Sequence, residues 1–263
     1  MPECGATVTL LTDFGAHDCF VGVMKGVMAS IAPGIAVIDL CHGVSPQGVV
    51  EAGFLLASSY AYFPPGTIHV AVVDPGVGTG RAILGIEAKG FRFIVPDNGL
   101  IVPTLTGPEE AATIVRIQND AYFRKPVSRT FHGRDIFSPV AAHLSGGAAP
   151  SGLGAKITDP VVLEDIYPVI REDTMTGDIA RFDHFGNAIT NINREQFDSF
   201  VRERPYRVSV RDFSFNSLSR TYFEGEATCL TGSSGYIEFG VFQGNFRTKT
   251  GVCKRDPVVI AIQ

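Results

Sequence analysis

The sequence has no tryptophan and only five cysteines in 263 residues. Cys4, Cys19, Cys41, Cys229 and Cys253 form an odd set without CxxC spacing, which suits neither a disulfide framework nor a zinc knuckle. Reduced packing thiols are the expectation. Charge is also sparse, at 19% of residues against the roughly 25% usual for soluble proteins. The 22 Lys and Arg against 27 Asp and Glu leave a net charge of −5 with no basic run. A nucleic acid or an anionic membrane is therefore not an expected partner, since either needs clustered Lys and Arg to displace counterions. No apolar stretch approaches the ~20 residues that a bilayer requires. Met1 to Gly5 carries Glu3 and no basic leader, so a cytoplasmic protein is expected. Internal repeats and low-complexity tracts are missing as well.

What remains is a foldable chain, 45% hydrophobic and rich in glycine, with 29 in all. Its length suits one large domain or two ordinary ones, stable without disulfide or metal. Up to about residue 144, short β-branched runs alternate with stretches of helical spacing, the pattern of an α/β layer fold. Strands are predicted over 7–11, 36–40, 68–73, 82–87, 91–95 and 113–117, and helices over 20–31, 49–60 and 136–144. The stretch 145–154, SGGAAPSGLG, has the composition of a linker. It divides an α/β domain, 1–154, from a smaller all-β domain, 155–263, in which helical spacing disappears and strands are predicted over 206–210, 236–239 and 258–262.

In open α/β sheets ligands sit beyond the carboxyl ends of strands, so polar residues just after strands draw attention. Asp13, Asp39 with His42 close behind, Asp74, and Asp97-Asn98-Gly99 all qualify. Each alone could be a turn or a helix cap. Asp74-Pro-Gly-Val-Gly-Thr-Gly-Arg81 fits neither GxxxxGK[ST] nor GxGxxG, which disfavours phosphate binding. Such a loop brings backbone close to a ligand while Asp74 and Arg81 approach each other, either as a site pair or as a structural ion pair across a turn. Phe131-His132-Gly133-Arg134-Asp135 places a potential acid or base before a helix, although a lone His is more often structural. In the second domain, Asp183-His184-Phe185-Gly186-Asn187 and Ser233-Ser234-Gly235-Tyr236-Ile237-Glu238 set amides, hydroxyls and carboxylates among aromatics. That suits a heteroaromatic base, or equally two β-turns.

Six segments in order are more specific than any one: Leu11-Thr-Asp-Phe-Gly15, Met24-Lys-Gly26, Val73-Asp-Pro-Gly-Val-Gly78 with Arg81, Pro96-Asp-Asn-Gly-Leu100, Thr130-Phe-His-Gly-Arg-Asp135 and Phe185-Gly-Asn187. Over nearly its whole length the chain resembles the S-adenosylmethionine (SAM) hydrolases, or SAM hydroxide adenosyltransferases, relatives of fluorinase and chlorinase. The resemblance implies an α/β domain followed by a β-barrel-like domain. It implies a homotrimer, with SAM bound where one subunit's first domain meets a neighbour's second. The implied reaction is cleavage of SAM by water to adenosine and L-methionine, with SAM as substrate and no cofactor. An Asp, Arg and His set around the water falls on Asp74, Arg81 and His132. By the same implication Asp13 holds the ribose hydroxyls, Asn187 the adenine edge, and Phe131 lines the ribose and base pocket, with Phe185 also substrate-binding. Asp18, Asp183 and Ser233 meet the methionine amino and carboxylate groups, with Ser234 and Glu238 as further contacts.

The halogenating relatives look aromatic at the position of Asp74 and do not retain the His; this chain has both hydrolase residues and no room between Arg81 and Asp97 for the extra loop of fluorinase. It departs from the family pattern at Cys19-Phe20, at Gly48, where an acid is expected, and at Phe242, where Asn is expected. A chlorinase-like halogenase and a non-catalytic SAM or adenosine sensor remain the alternatives. A two-metal phosphoesterase is disfavoured because DxH and GNH-type ligand clusters are missing, and no metal is expected.

Overall fold

The computed structural model describes residues 5–105 and 112–263, so Cys4 lies outside the described residues. The chain forms two compact units, the first running to Leu163 and the second from Glu164 to Gln263.

The first unit contains strands β1 (Val8–Thr12), β2 (Val37–Cys41), β3 (Ile68–Val72), β4 (Ile83–Ala88), β5 (Phe91–Pro96) and β6 (Thr113–Arg116). They build one sheet in the order β2-β1-β3-β5-β4-β6. The β2, β1, β3 and β5 neighbours are parallel, whereas β4 runs antiparallel to β5 and β6. Helices α1 (Phe20–Ile31), α2 (Val49–Ala57), a short α3 (Val102–Leu105) and α4 (Ser138–Ser145) cover it. Alternation along β1 feeds both faces: Val8 and Leu10 join a core with Met24 and Met28 of α1 and Val140 of α4. Leu11 joins the opposite core with Ala52 and Leu56 of α2. A strand buried on both faces lacks polar alternation, and 7–11 stands out in the sequence as a short run of β-branched and leucine residues. One wide π-helical turn, Gly133–Phe137, leads directly into α4.

The stretch 145–154 belongs to the first unit and does not act as a linker. Pro150–Leu153 forms a 3-10 turn with Leu153 fully buried, and the Leu153 carbonyl accepts hydrogen bonds from the Gln118 and Asn119 amides at 3.0 and 2.9 Å. Beyond it the chain continues beside β6, with Arg116 N donating to Ala155 O and Ile157 N to Ile114 O. Glycine and alanine here permit close packing against the sheet, and composition alone does not separate that use from flexibility.

The second unit contains β7 (Val169–Arg171), β8 (Thr174–Phe182), β9 (Ala188–Asn193), β10 (Tyr206–Val210), β11 (Phe213–Phe215), β12 (Ala227–Thr231), β13 (Tyr236–Val241) and β14 (Pro257–Ile262). The order is β11-β10-β14-β8-β9-β13-β12 with β7 beside β8, all antiparallel. Just past β11, Ser219 bridges to Leu230 of β12, and its amide reaches Cys229 O at 2.7 Å. That contact joins the two ends of the sheet, so it curls barrel-like around Met175, Ile179, Val208, Ile237, Phe239 and Ile260. Two helices interrupt the strands, α5 (Arg194–Val201) and α6 (Phe246–Thr250). The first begins with a reciprocal capping box: the Asn193 side chain accepts from Gln196 N and the Gln196 side chain accepts from Asn193 N. The N-x-x-Q spacing before Phe197, Phe200 and Val201 is its sequence signal.

Candidate active site

At the carboxyl ends of β1 and β3, two loops converge with the segment preceding α4. Residues 12–15 leave β1, Asp74 follows β3 by two residues, and Phe131-His132 lead into the π-helical turn. They line a cleft of about 420 Å³ whose walls include Asp13, Phe14, Phe20, Asp74, Phe131 and His132. This is where an α/β sheet places a ligand.

The 74–81 loop turns back on itself, so Arg81 meets Asp74 with both arms of its guanidinium. Nε donates to Asp74 Oδ1 at 2.8 Å and Nη2 to Asp74 Oδ2. Their side chains are only 10% and 5% exposed, which makes this a sheltered bidentate pair and not a surface one. Gly78 has φ of +78°, and a Cβ there would strike the Arg129 carbonyl, so glycine is required where this loop crosses the one carrying His132. Arg81 Nη2 also lies 3.2 Å from His132 Nδ1. A guanidinium only donates, so Nδ1 is the acceptor and the imidazole proton sits on Nε2. Burial, with the Arg81 charge beside it, holds His132 below the ordinary imidazole range against the opposing pull of Asp74 and Asp135. The ring is neutral at neutral pH. Arg81 is not part of the cleft wall; it stands behind Asp74 and His132, with its guanidinium 5.7 Å from the Phe137 ring centre.

The loop bearing His132 is anchored by Asp135, which is fully buried. Its carboxylate accepts from Arg134 Nε and Nη2 at 2.7 and 2.8 Å, from Arg124 Nη1 at 3.2 Å and from Ser128 N at 2.8 Å. Those bonds outweigh the cost of burial and hold the Asp135 carboxyl below its usual range. On the other wall, Asp13 Oδ2 accepts from Gln47 N at 2.8 Å. Phe14, Phe20 and Phe131 meet edge to face with centroids 5.2 to 6.1 Å apart, an apolar surface against which a sugar or a flat base packs. Sequence reasoning did not single out Phe14, Phe20 or Gln47 as wall residues. The first position of α1 and the turn residue Phe14 were the available signals.

The structure therefore brings Asp13, Asp74, Arg81, Phe131 and His132 together in the first unit. Asp18 lies on the surface and is not part of the cleft wall. The second unit gathers another group. Asp183 accepts from Asn187 N and Nδ2, both at 2.8 Å, closing the turn between β8 and β9 with Gly186 at φ +83°. Glu238 is 5% exposed and accepts from the Tyr222 hydroxyl, which sequence reasoning missed. Burial pushes the Glu238 carboxyl up, against the Tyr222 hydrogen bond and with help from Asp183. Phe185 and Ser233 are exposed, and Ser234 Oγ is buried without a hydrogen-bond partner. Among the described residues no group of three or more His, Cys, Asp or Glu could hold a metal, and no helix is long and apolar enough to cross a membrane.

Family models of the SAM hydroxide adenosyltransferase N-terminal and C-terminal domains match residues 8–154 and 177–259. The chain is 37% identical over 257 residues to the (R)-S-adenosyl-L-methionine hydrolase of Thermus thermophilus, covering 95% of this chain and 98% of that one. It is 31% identical over 252 residues to the protein of the same name from Methanocaldococcus jannaschii, covering 90% and 89%. A fluorinase of Actinopolyspora mzabensis is more distant, 27% identical over 221 residues and 73% of each chain. Among solved structures, an uncharacterized conserved protein from Thermotoga maritima superposes with a TM-score of 0.86 at 34% identity, over 97% of this chain and all of that one. Both domain matches and the full-length relatives agree with the order of motifs along the chain: it belongs to the SAM hydroxide adenosyltransferase family.

Proposed function

We propose that this protein hydrolyses SAM to adenosine and L-methionine, water attacking the ribose C5′ carbon. The observation that carries the reading is the sheltered Asp74–Arg81–His132 set, with Asp74 and His132 on the wall of the first unit's cleft and Arg81 behind them. Full-length relatives named SAM hydrolases support it.

The displacement forms a C5′–O bond and breaks the C5′–S bond, whose electron pair neutralises the sulfonium. Methionine leaves as a neutral thioether and needs no acid. Removing a water proton outright with an imidazole of ordinary pKa is uphill by about 9 units, or roughly 12 kcal/mol, so prior deprotonation is not the device. The geometry supports a gentler role. Asp74 keeps a second lone pair on each oxygen beyond the two that Arg81 occupies, and these orient the water and accept its proton as the C–O bond forms. Arg81 fixes the carboxylate from behind, and neutral His132 holds the far guanidinium nitrogen. Well-placed reactants are worth ~7 to 11 kcal/mol, enough to make positioning the main source of rate. Asp13 takes the ribose hydroxyls, and Phe131 and Phe185 the nucleoside. Asn187 meets the adenine edge, while Asp18, Asp183 and Ser233, with Ser234 and Glu238, serve the methionine end. The reading uses no cofactor and includes a homotrimer in the cytoplasm, the former measurable by sedimentation.

The test incubates purified protein with SAM in heavy-oxygen water, with and without chloride. Adenosine labelled at its 5′-hydroxyl is expected under both conditions. A 5′-chloro product would assign a halogenase, and intact SAM after prolonged incubation would assign a sensor; either refutes the reading.

A further inference from the structure

Asp13 is positioned by a group outside the cleft wall. Strand β2 carries one extra residue against β1: Leu10 pairs with Asp39, but Leu11 pairs with Cys41. A bulge of this kind re-aims the chain beyond it. Here it carries His42 beside the end of β1, where the imidazole Nδ1 lies 2.9 Å from the hydroxyl of Thr12, itself fully buried. Thr12 Oγ1 already accepts from Phe14 N at 3.2 Å, so its own proton is free for Nδ1. The other ring nitrogen, Nε2, is 3.0 Å from Asp39 Oδ1, off the line of an ideal hydrogen bond but close enough for charge to act. Lys25 of α1 holds Asp39 Oδ2 at 2.6 Å. Burial raises the Asp39 carboxyl, yet Lys25 and His42 together hold it below the usual range. The main chain of His42 completes the clamp, its carbonyl accepting from Gly15 N at 2.8 Å. The turn from Thr12 to Gly15 is thus gripped at both ends by one residue, with Asp13 and Phe14 between the grips.

We propose that His42, braced by Asp39 and Lys25, is a positioning residue for substrate: by clamping the 12–15 turn it fixes where Asp13 presents its carboxylate to the ribose hydroxyls. The inference rests on the role given to Asp13 above. It assigns to His42 no contact with the reacting atoms.

The test measures kcat, KM for SAM and thermal midpoint for Thr12→Val, Thr12→Ser, His42→Ala, His42→Asn and the double variant Thr12→Val/His42→Ala. Losing the side-chain grip is expected to raise KM about fivefold, the size of one neutral hydrogen bond, while kcat changes less than about twofold. The double variant is expected to fall short of the sum of the single effects, because both substitutions remove the Thr12–His42 contact, while valine alone also removes the acceptor of Phe14 N. Serine at 12 and an asparagine amide in the place of Nδ1 are expected to keep KM within about twofold of the wild type. Additive effects in the double variant, an unchanged KM in Thr12→Val, or a fall in kcat at constant KM would overturn the inference. If His42→Ala does not fold, the contrast between valine and serine at position 12 decides. If wild-type protein leaves SAM intact, the reaction is refuted separately. Adenosine binding by calorimetry to wild type and Thr12→Val then reads the clamp, about fivefold weaker in the variant if it holds and equal or undetectable in both if it does not.

Discussion

His69 lies at the middle of the first unit's sheet and is fully buried. Its neighbours across the sheet are Thr9 of β1 and Phe93 of β5. Nδ1 pairs with the Thr9 hydroxyl at 2.8 Å, the ring stacks on Phe93 at 5.3 Å, and Phe63 and Tyr60 meet it edge on. Nε2 is buried with no hydrogen-bond partner. A second N–H would have nothing to donate to, and burial lowers the pKa from 6.5 to about 4. Above pH 6.5 the ring is neutral in both folded and unfolded chains and its pH term vanishes. As pH falls from there to about 4, only the unfolded chain takes the proton, so stability is lost through that window and levels off below it. At about pH 4.5 the linkage amounts to ~2.6 kcal/mol, a large part of the 5 to 15 kcal/mol typical of a domain. The perturbation is His69→Phe, which keeps an aromatic ring among aromatic neighbours and removes the titration. Urea unfolding of wild type and variant at about pH 7 and pH 4.5 supplies the comparison, since carboxylate and other histidine contributions are common to both and cancel in the difference. The variant is expected to be the less acid-sensitive of the two by ~2 to 3 kcal/mol. Equal acid sensitivity refutes the reasoning.

Two further predictions concern the cleft. Because burial and then Arg81 lower the His132 pKa, the neutral ring persists below pH 6.5, and the acid limb of kcat/KM for SAM is expected beneath that value; a limb above it would show that protonation of His132 is not what is lost. Arg81→Lys keeps the charge but cannot grip both Asp74 oxygens while reaching His132. A fall in kcat of about 100-fold with little change in KM is expected, and a KM effect at constant kcat would place Arg81 on the substrate instead.

The fold was legible where burial shapes the residue pattern. Strands buried on both faces, such as β1 and β3, read as short runs rich in β-branched residues and fell within a residue or so of their observed limits. In the second unit β8 escaped notice because its inner face presents Met175, Gly177 and Ile179: the middle residue is a glycine whose Cβ would meet Ile192, so close packing removed the apolar signal. Helix α5 was hidden for a different reason. Eight residues are too few for periodicity to emerge, and only the Asn193–Gln196 cap marks it. For the site, six residues of intervening glycine-rich loop made the Asp74–Arg81 pair readable from the chain itself. That His132, about fifty residues further on, closes the same set came only from resemblance, and no spacing argument would place Arg81 behind the wall.

That placement limits the chemistry the cleft supports. A buried guanidinium needs acceptors for its N–H groups, and those here are the two Asp74 oxygens, the Ala82 carbonyl at 3.4 Å and His132 Nδ1. The imidazole lone pair is consequently committed to Arg81, and freeing it as a base would strand a donor in a sheltered site at a cost of ~1 to 3 kcal/mol. Asp74 is in the opposite situation. Asp74 lines the cleft, and each of its oxygens keeps a lone pair beyond the one that Arg81 occupies. On the proposed reading, the proton of an attacking water has one favourable first acceptor, the carboxylate, and the histidine's part is to keep the guanidinium still. Rate enhancement in such a site comes from an acceptor held in place before substrate arrives, which needs no strong base and suits a leaving group that departs neutral.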